Sequence, residues 1–182
     1  MLGNKECGAL RQSRLTSWCV LLLWVALLPA CSMFRVTDVN DDNSLIQTDL
    51  TRPYATVYFI RPKTEHPQGY ADNKLAVEID GEKLMELGKA EYTLVRLKPR
   101  DVTITLRNRT QFHGRWEVIE MDRSRSFSFE GGETYFILTD MINGEFRGVR
   151  FIPKSISLFD AKIAARYLSP AGQARDNPIE NL

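Results

Sequence analysis

From Tyr54 onward, apolar and polar residues alternate in short runs that are separated by turn residues. In "VTITLR" (102–107), Val102, Ile104 and Leu106 share one side of the chain, and polar residues occupy the other. This period of two predicts strands of an antiparallel sheet with one face on a core. Between two such runs, Asp80-Gly81 predicts a type I′ hairpin, because both residues tolerate positive φ.

The same pattern predicts strands along most of the chain. They are expected at 54–60, 74–80, 82–87, 92–97, 102–107, 115–121, 126–130, 133–139 and 148–152, with turns at 98–101 and 122–125. Eight or nine short strands at near-regular spacing, without helices between them, favour an antiparallel β-sandwich over an α/β arrangement. The predicted fold class is therefore mainly β.

One helix is predicted near the C-terminus. Ser157 and Asp160 form a start that resembles a capping box, and Pro170 ends the segment. Its apolar positions at helical spacing are Leu158, Ala161, Ala165 and Leu168. We expect this stripe to pack on an edge or end of the sandwich, and we expect residues 169–182 to form a disordered tail.

Near the N-terminus, residues 18–28 ("WCVLLLWVALL") are the one stretch apolar enough to enter a bilayer, and they follow Lys5, Arg11 and Arg14. Eleven helical residues reach about 16 Å, roughly half of the hydrocarbon core. A basic region before a short apolar run predicts an export signal. The alternative is an uncleaved membrane span over about 15–34.

The end of this apolar run, Leu28-Pro29-Ala30-Cys31, resembles the bacterial lipoprotein box. The resemblance implies cleavage after Ala30 and a covalent lipid on Cys31, the palmitate-type anchor of such proteins. Each buried methylene contributes about 0.8 kcal/mol, so several acyl chains suffice for stable anchoring. Ser32, directly after the cysteine, implies transport to the outer membrane, with the domain facing the periplasm.

The predicted organisation has four parts. They are a signal peptide at 1–30, the lipidated cysteine with a flexible tether at 31–52, a β-sandwich with its helix at 53–168, and the tail at 169–182. The remaining cysteines, Cys7 and Cys19, lie in the signal peptide, so the domain is expected to fold without disulfides. Bases and acids nearly balance along the chain, which does not favour a nucleic-acid partner.

Several motifs in order resemble the bacterial lipoprotein family called domain of unknown function 2846. These are a strand ending in Tyr-x-x-Arg-Pro (58–62), the Val-x-Ile-Asp-Gly hairpin (77–81), a glycine before an aromatic strand (88–92), and a Leu-x-Pro turn (97–100) before a Thr-rich strand. The resemblance covers about 53–140 and implies a small sandwich domain at the cell envelope. It implies no particular reaction.

The sequence shows no motif for catalysis or metal binding. Its histidines, His66 and His113, are too few for a zinc site in a chain without another thiol. It has no nucleophile elbow, phosphate-binding glycine loop or dinucleotide fingerprint. We therefore expect no cofactor, no metal and no enzymatic activity. The rival hypothesis is a hydrolase with His66 or His113 beside a carboxylate.

The sharpest site hypothesis rests on a group of arginines in the middle of the domain. They are Arg107, Arg109, Arg115, Arg123 and Arg125. Residues two apart on a strand share a face, so Arg107 with Arg109, and Arg123 with Arg125, are expected to present paired guanidiniums. Such a surface suits a lipid phosphate, a cell-wall carboxylate or an acidic protein. The alternative is an ordinary charged sheet face.

These observations predict a lipid-anchored, non-catalytic binding or structural module of the bacterial envelope. Its expected partners are the membrane, through the N-terminal lipid, and an envelope protein, cell-wall or lipid-phosphate ligand. The main alternative is an accessory subunit of an envelope or secretion assembly that docks a protein through a sheet edge.

Overall fold

The computed structural model describes residues 38–63, 74–111, 117–144 and 148–182. The chain divides into two units, Met1–Phe34 and Arg35–Leu182, and all of the described residues belong to the second unit. The predicted signal peptide and Cys31 lie outside the described residues.

Ten strands and one α-helix make up the described part of the chain. The strands are β1 (Asp38–Val39), β2 (Ala55–Arg61), β3 (Leu75–Ile79), β4 (Glu82–Leu87), β5 (Glu91–Leu97), β6 (Arg100–Gln111), β7 (Val118–Phe129), β8 (Thr134–Gly144), β9 (Gly148–Ile156) and β10 (Ser169–Gly172). The helix α1 is Leu158–Ala165, and 3-10 turns follow at Gln173–Arg175 and Ile179–Asn181. The mainly β class with one C-terminal helix is confirmed.

The strands form two five-stranded sheets that pack face to face as a β-sandwich. The order of the first sheet is β1-β4-β3-β6-β7, and that of the second is β10-β5-β2-β8-β9. Neighbours are antiparallel except for β2 with β8 and β5 with β10. Strands β2, β4, β6 and β8 all finish at one end of the sandwich, which we call the loop end.

Alternating apolar residues from both sheets fill the space between them, as the period of two predicts. The fully buried side chains include Val57, Phe59, Val77, Ile79, Ile104, Leu106, Ile137 and Phe151. The hairpin at Asp80-Gly81 is also confirmed, since the two residues have φ values of 52° and 85°, as a type I′ turn requires.

The structure corrects the prediction of two strands at 115–121 and 126–130. Residues 118–129 form the single strand β7, and the predicted turn at 122–125 lies in its middle. Every residue of β7 pairs with one of β6, from Gln111↔Val118 to Arg100↔Phe129. The charged run "DRSR" is typical of a turn. An edge strand nevertheless tolerates polar residues on both faces, because it has a neighbouring strand on one side only and its inward side chains can reach solvent.

Helix α1 covers the outer face of the second sheet. Its N-cap Ser157 accepts a hydrogen bond from the backbone N–H of Asp160 at 3.1 Å, which confirms the predicted start. Ala161 and Ala165 are buried against Tyr58, Ile60 and Phe136. Leu168 is partly buried in the same apolar cluster, whereas Leu158, at the first helical position, is 40% exposed.

The prediction of a disordered tail at 169–182 is wrong. Strand β10 extends the second sheet parallel to β5, and Ala174 and Ile179 are buried in the apolar cluster beneath α1. The Tyr58 hydroxyl donates to the carbonyl of Asn177 at 2.9 Å, and burial raises the pKa of this phenol. Two apolar anchors and backbone pairing therefore order a segment whose composition is mostly polar.

The predicted flexible tether is also partly wrong, because its second half belongs to the domain. Strand β1 pairs with β4, and Leu45 is only 6% exposed. The Asn43 side chain accepts from the backbone N–H of Leu45 at 2.8 Å, which closes an Asx-type turn. The backbone N–H of Gln47 then donates to the carbonyl of Arg96 at 2.8 Å. The folded domain thus includes residues from Asp38 onward.

Substituting Ser157→Ala is expected to lower the free energy of unfolding by about 1 kcal/mol, because the N-cap acceptor for the Asp160 N–H is lost. Urea unfolding followed by circular dichroism measures the change. Ser155→Ala, an exposed serine two residues earlier at the end of β9, is the matched control. Equal effects of the two substitutions would show that the cap does not contribute.

Candidate binding face

The outward side of the first sheet is a polar surface, which we call the open face. The pairing register of β3, β6 and β7 determines its composition, because directly opposed residues share a face. Its residues on these three strands are Ala76, Glu78, Asp101, Thr103, Thr105, Arg107, Arg109, Glu120, Asp122, Ser124, Ser126 and Ser128. No described segment covers this face as α1 covers the second sheet.

Half of the open face is a ladder of small polar side chains between β6 and β7. The hydroxyls of Thr105 and Ser124 lie 2.8 Å apart, and those of Thr103 and Ser126 lie 3.5 Å apart. Farther along, the Ser128 hydroxyl donates to the Asp101 carboxylate. These short side chains leave a flat strip of hydrogen-bonding groups beside the charged half of the face.

Arg107 is the centre of the charged half. Its Nε lies 2.9 Å from Glu78 Oε1, and its Nη2 donates to Oε2 of the same carboxylate at 3.1 Å. A weaker contact joins Arg107 Nη1 to Glu120 Oε1 at 3.8 Å. The hydrogen bond to Glu78, followed by the charge of that carboxylate, raises the pKa of Arg107. Arg107 is therefore held in a fixed position on the open face.

Arg109 lies beside Arg107 on the same face, as the strand period predicts. It is exposed and stands directly opposite Glu120, while Arg107 stands opposite Asp122. The face therefore alternates positive and negative charges across the strand pair. This pattern offers a partner both positive and negative charges, unlike an anion-binding site that is built only from basic residues.

Arg123 and Arg125 lie on the other side of the same sheet. They stand opposite Leu106 and Ile104, whose side chains point into the sandwich, yet both arginines are exposed. They reach solvent because β7 is the edge strand of its sheet. The structure therefore brings together Arg107 with Arg109 and Arg123 with Arg125, on opposite faces, and does not bring all four into one cluster.

The remaining residues of the sequence hypotheses lie outside the described part of the chain. They are Ala30, Cys31, His66, His113 and Arg115. Within residues 38–63, 74–111, 117–144 and 148–182, no group of three histidine, cysteine or acidic side chains is placed to hold a metal ion. In the same ranges, no helix is both long and apolar enough to cross a bilayer.

Sequence analysis missed a buried charged position near the loop end. Arg61 and Glu91 stand directly opposite each other on the inner face of β2 and β5, and they are only 0% and 3% exposed. Arg61 Nη1 donates to the carbonyl of Leu87 at 2.6 Å, and Glu91 Oε1 accepts from the N–H of Gly88 at 2.5 Å. The sequence indicates this position, because Arg61 follows Ala55, Val57 and Phe59 at the two-residue spacing of side chains that point inward.

This buried position has a structural role, because the contacts that it makes with described residues are internal to the fold. A Cβ at Gly88 would collide with the Glu91 carboxylate, so a larger residue there would displace the carboxylate from its present position. The Arg61 guanidinium also lies over the ring of Phe151, 5.2 Å from its centroid. The two charged side chains therefore fasten the β4–β5 turn to the sandwich.

Comparison of the chain with models of protein families, with curated proteins and with solved structures finds no match to any of the three.

Proposed function

We propose that this protein is a lipid-anchored, non-catalytic binding module of the bacterial cell envelope, attached to the outer membrane on its periplasmic side. In this proposal, the acyl chains on Cys31 hold the protein at the membrane, and the open face binds an envelope macromolecule. The observation that carries the proposal is the asymmetry of the sandwich: α1 and the C-terminal segment cover one outer sheet face, whereas no described segment covers the other.

The attachment is supported by Leu28-Pro29-Ala30-Cys31 after a basic region and a short apolar run. An apolar run of this length suits an export signal better than a span. The resemblance to the lipoprotein family domain of unknown function 2846 supports the same location. The chain from Asp38 onward folds as a sandwich, which is compatible with a domain that follows a short lipidated segment.

The binding role is supported by the composition of the open face. Glu78 positions Arg107, and the adjacent Arg109 is exposed. The serine–threonine ladder supplies hydroxyls, each of which can donate or accept a hydrogen bond. A surface with both charge signs and many hydroxyls suits a polar macromolecule, such as an envelope protein or cell-wall polymer. Nothing in this arrangement requires a cofactor.

A second candidate function is docking of a protein partner through the edge of the first sheet. The observation that favours it is the length of β7, a twelve-residue edge strand. Arg123 and Arg125 oppose it, because charged side chains on the inward side of an edge strand are a common protection against strand addition. We therefore favour the open face over this edge.

Replacing Arg107 and Arg109 together with glutamine is expected to reduce recovery of envelope partners about tenfold, because two charge-assisted contacts are removed. The measurement is in-cell photo-crosslinking from position 105 on the open face, followed by mass spectrometry. Fold integrity is checked by thermal unfolding of each variant.

The matched control replaces Arg123 and Arg125 with glutamine, which removes the same charge from the opposite face. Recovery should then be unchanged. If the control pair lowers recovery and the Arg107 and Arg109 pair does not, edge docking replaces the open face as the binding mode. Unchanged recovery with both pairs would contradict a role for either surface.

A further inference from the structure

The solvent side of α1 carries a line of large apolar side chains. Phe159, Ile163 and Tyr167 recur every four residues and are 72%, 59% and 84% exposed. Four-residue spacing places them on one side, because the C-cap Arg166 keeps helical dihedral angles. The helical residues buried on the side that faces the sheet are the small residues Ala161 and Ala165, and Leu168 beyond the helix packs against the same cluster. We call Phe159, Ile163 and Tyr167 the outer stripe.

Basic residues flank the outer stripe along the chain. Residues 154–167 contain three bases, Lys154, Lys162 and Arg166, against one acid, Asp160. The acid is engaged at the helix start, where its carboxylate accepts from the Ser157 hydroxyl at 2.8 Å. Lys162 donates to the carbonyl of Leu182 at 2.5 Å, so Lys154 and Arg166 are the exposed bases beside the stripe. Exposed aromatic and aliphatic side chains flanked by bases are typical of helices that lie in the interface of an anionic membrane.

The polar rim of the stripe includes an open groove beside the start of α1. It has a volume of about 690 Å³ and is lined by Leu138, Ala164, Asp160 and residues 154–157. Its position next to Phe159 places Lys154 and two serines at the depth where lipid headgroups would lie if the stripe entered the interface.

A short stretch of chain separates the proposed lipid anchor from the described domain. Cys31 precedes Asp38 by seven residues, which span at most about 25 Å when fully extended. Asp38 pairs with Glu86 near the end of β4, so the described chain begins at the loop end. The segment after α1 returns to the same end, where the N–H of Ser169 donates to the carbonyl of Ala90 at 3.0 Å.

From these observations, we propose that the outer stripe inserts into the interface of the membrane that holds the lipid anchor, as a second and non-covalent membrane contact. The inference rests on the proposed lipid attachment and adds an orientation to it. The outer stripe and the open face lie on opposite sides of the sandwich. Insertion of the stripe therefore directs the open face away from the lipid, toward soluble or cell-wall partners.

The test uses single-tryptophan variants of the purified, processed full-length protein in vesicles of phosphatidylethanolamine and phosphatidylglycerol. Replacing Trp18, Trp24 and Trp116 with phenylalanine supplies the background, so that no native tryptophan contributes even where the signal peptide is retained. Phe159→Trp and Tyr167→Trp report on the stripe, and Ser126→Trp on the open face is the matched control. Each variant is measured with and without brominated acyl chains, which quench only tryptophans at the membrane.

We expect bromolipid to reduce the emission of Phe159→Trp and Tyr167→Trp by about half and to leave Ser126→Trp unchanged. Absence of quenching at both stripe positions overturns the inference, as does equal quenching at position 126. A second copy of the chain is the other conceivable occupant. Efficient disulfide-linked dimers of Ile163→Cys in vesicles, with no bromolipid quenching, would assign the stripe to that contact and overturn membrane insertion.

Mass spectrometry of the same samples shows whether the protein carries acyl chains, and this distinguishes failure of the inference from failure of the proposed function. Acylated protein without quenching refutes the stripe and leaves the anchor intact. Protein that lacks acyl chains but shows quenching at position 159 refutes the anchor and supports the stripe as a membrane contact by itself.

Discussion

Replacing Glu91 with glutamine is expected to lower the free energy of unfolding by about 3 kcal/mol, because it neutralises one of two opposite charges that stand directly across from each other in the buried interior. The substitution preserves shape, and the amide oxygen can still accept from the Gly88 N–H. Both side chains are almost fully buried, so water cannot solvate the Arg61 guanidinium after the substitution. Chemical denaturation at neutral pH measures the difference.

Glu133→Gln is the matched control, since Glu133 is exposed, and its effect should stay within about 0.5 kcal/mol. The double variant Arg61→Met with Glu91→Leu removes both charges and should recover at least half of the loss caused by Glu91→Gln. A double variant that is destabilised as much as Glu91→Gln, or more, would show that the two charges do not compensate each other across β2 and β5.

Replacing Cys31 with serine is expected to abolish fatty-acid labelling and to leave a precursor that keeps its signal peptide. A serine hydroxyl is a much weaker nucleophile than a thiol, so the diacylglyceryl transfer that the lipoprotein box implies cannot occur. Metabolic labelling with a fatty-acid analogue measures the first effect, and the mass of the purified chain measures the second.

Cys19→Ser is the control for this experiment, because Cys19 lies in the segment that cleavage would remove. It should be labelled and processed like the unaltered protein. A normally lipidated product from Cys31→Ser would refute the assignment of the anchor, whereas loss of labelling in both variants would point to a general defect of export.

Local patterns predicted most of the elements correctly. The alternation in β3, β4 and β6 and the Asp80-Gly81 turn depend on neighbouring residues alone, and the Ser157 cap is a four-residue motif. The errors concern segments whose own composition is polar. The second half of the predicted tether and the C-terminal tail are ordered by a few apolar residues, Leu45, Ala174 and Ile179, that meet partners far away in the chain.

The arginine hypothesis shows the same limit at the candidate site. The period of two correctly pairs Arg107 with Arg109, and Arg123 with Arg125, because that relation holds within one strand. Which face each pair occupies depends on the register between β6 and β7, and that register places Arg107 opposite Asp122 but Arg123 opposite Leu106. A sequence that contains a charged run at 122–125 does not show whether the chain turns there.

By itself, then, the sequence determined the fold class, the hairpin, the start of the helix and the residues that resemble a lipidation site, because each follows from the spacing of nearby side chains. The tertiary structure alone decided which sheet face is covered, where the arginines point, that Arg61 and Glu91 share a buried position, and that the outer stripe of α1 is exposed. These properties depend on pairing register and on packing between distant segments. Short-range periodicity carries no information about either.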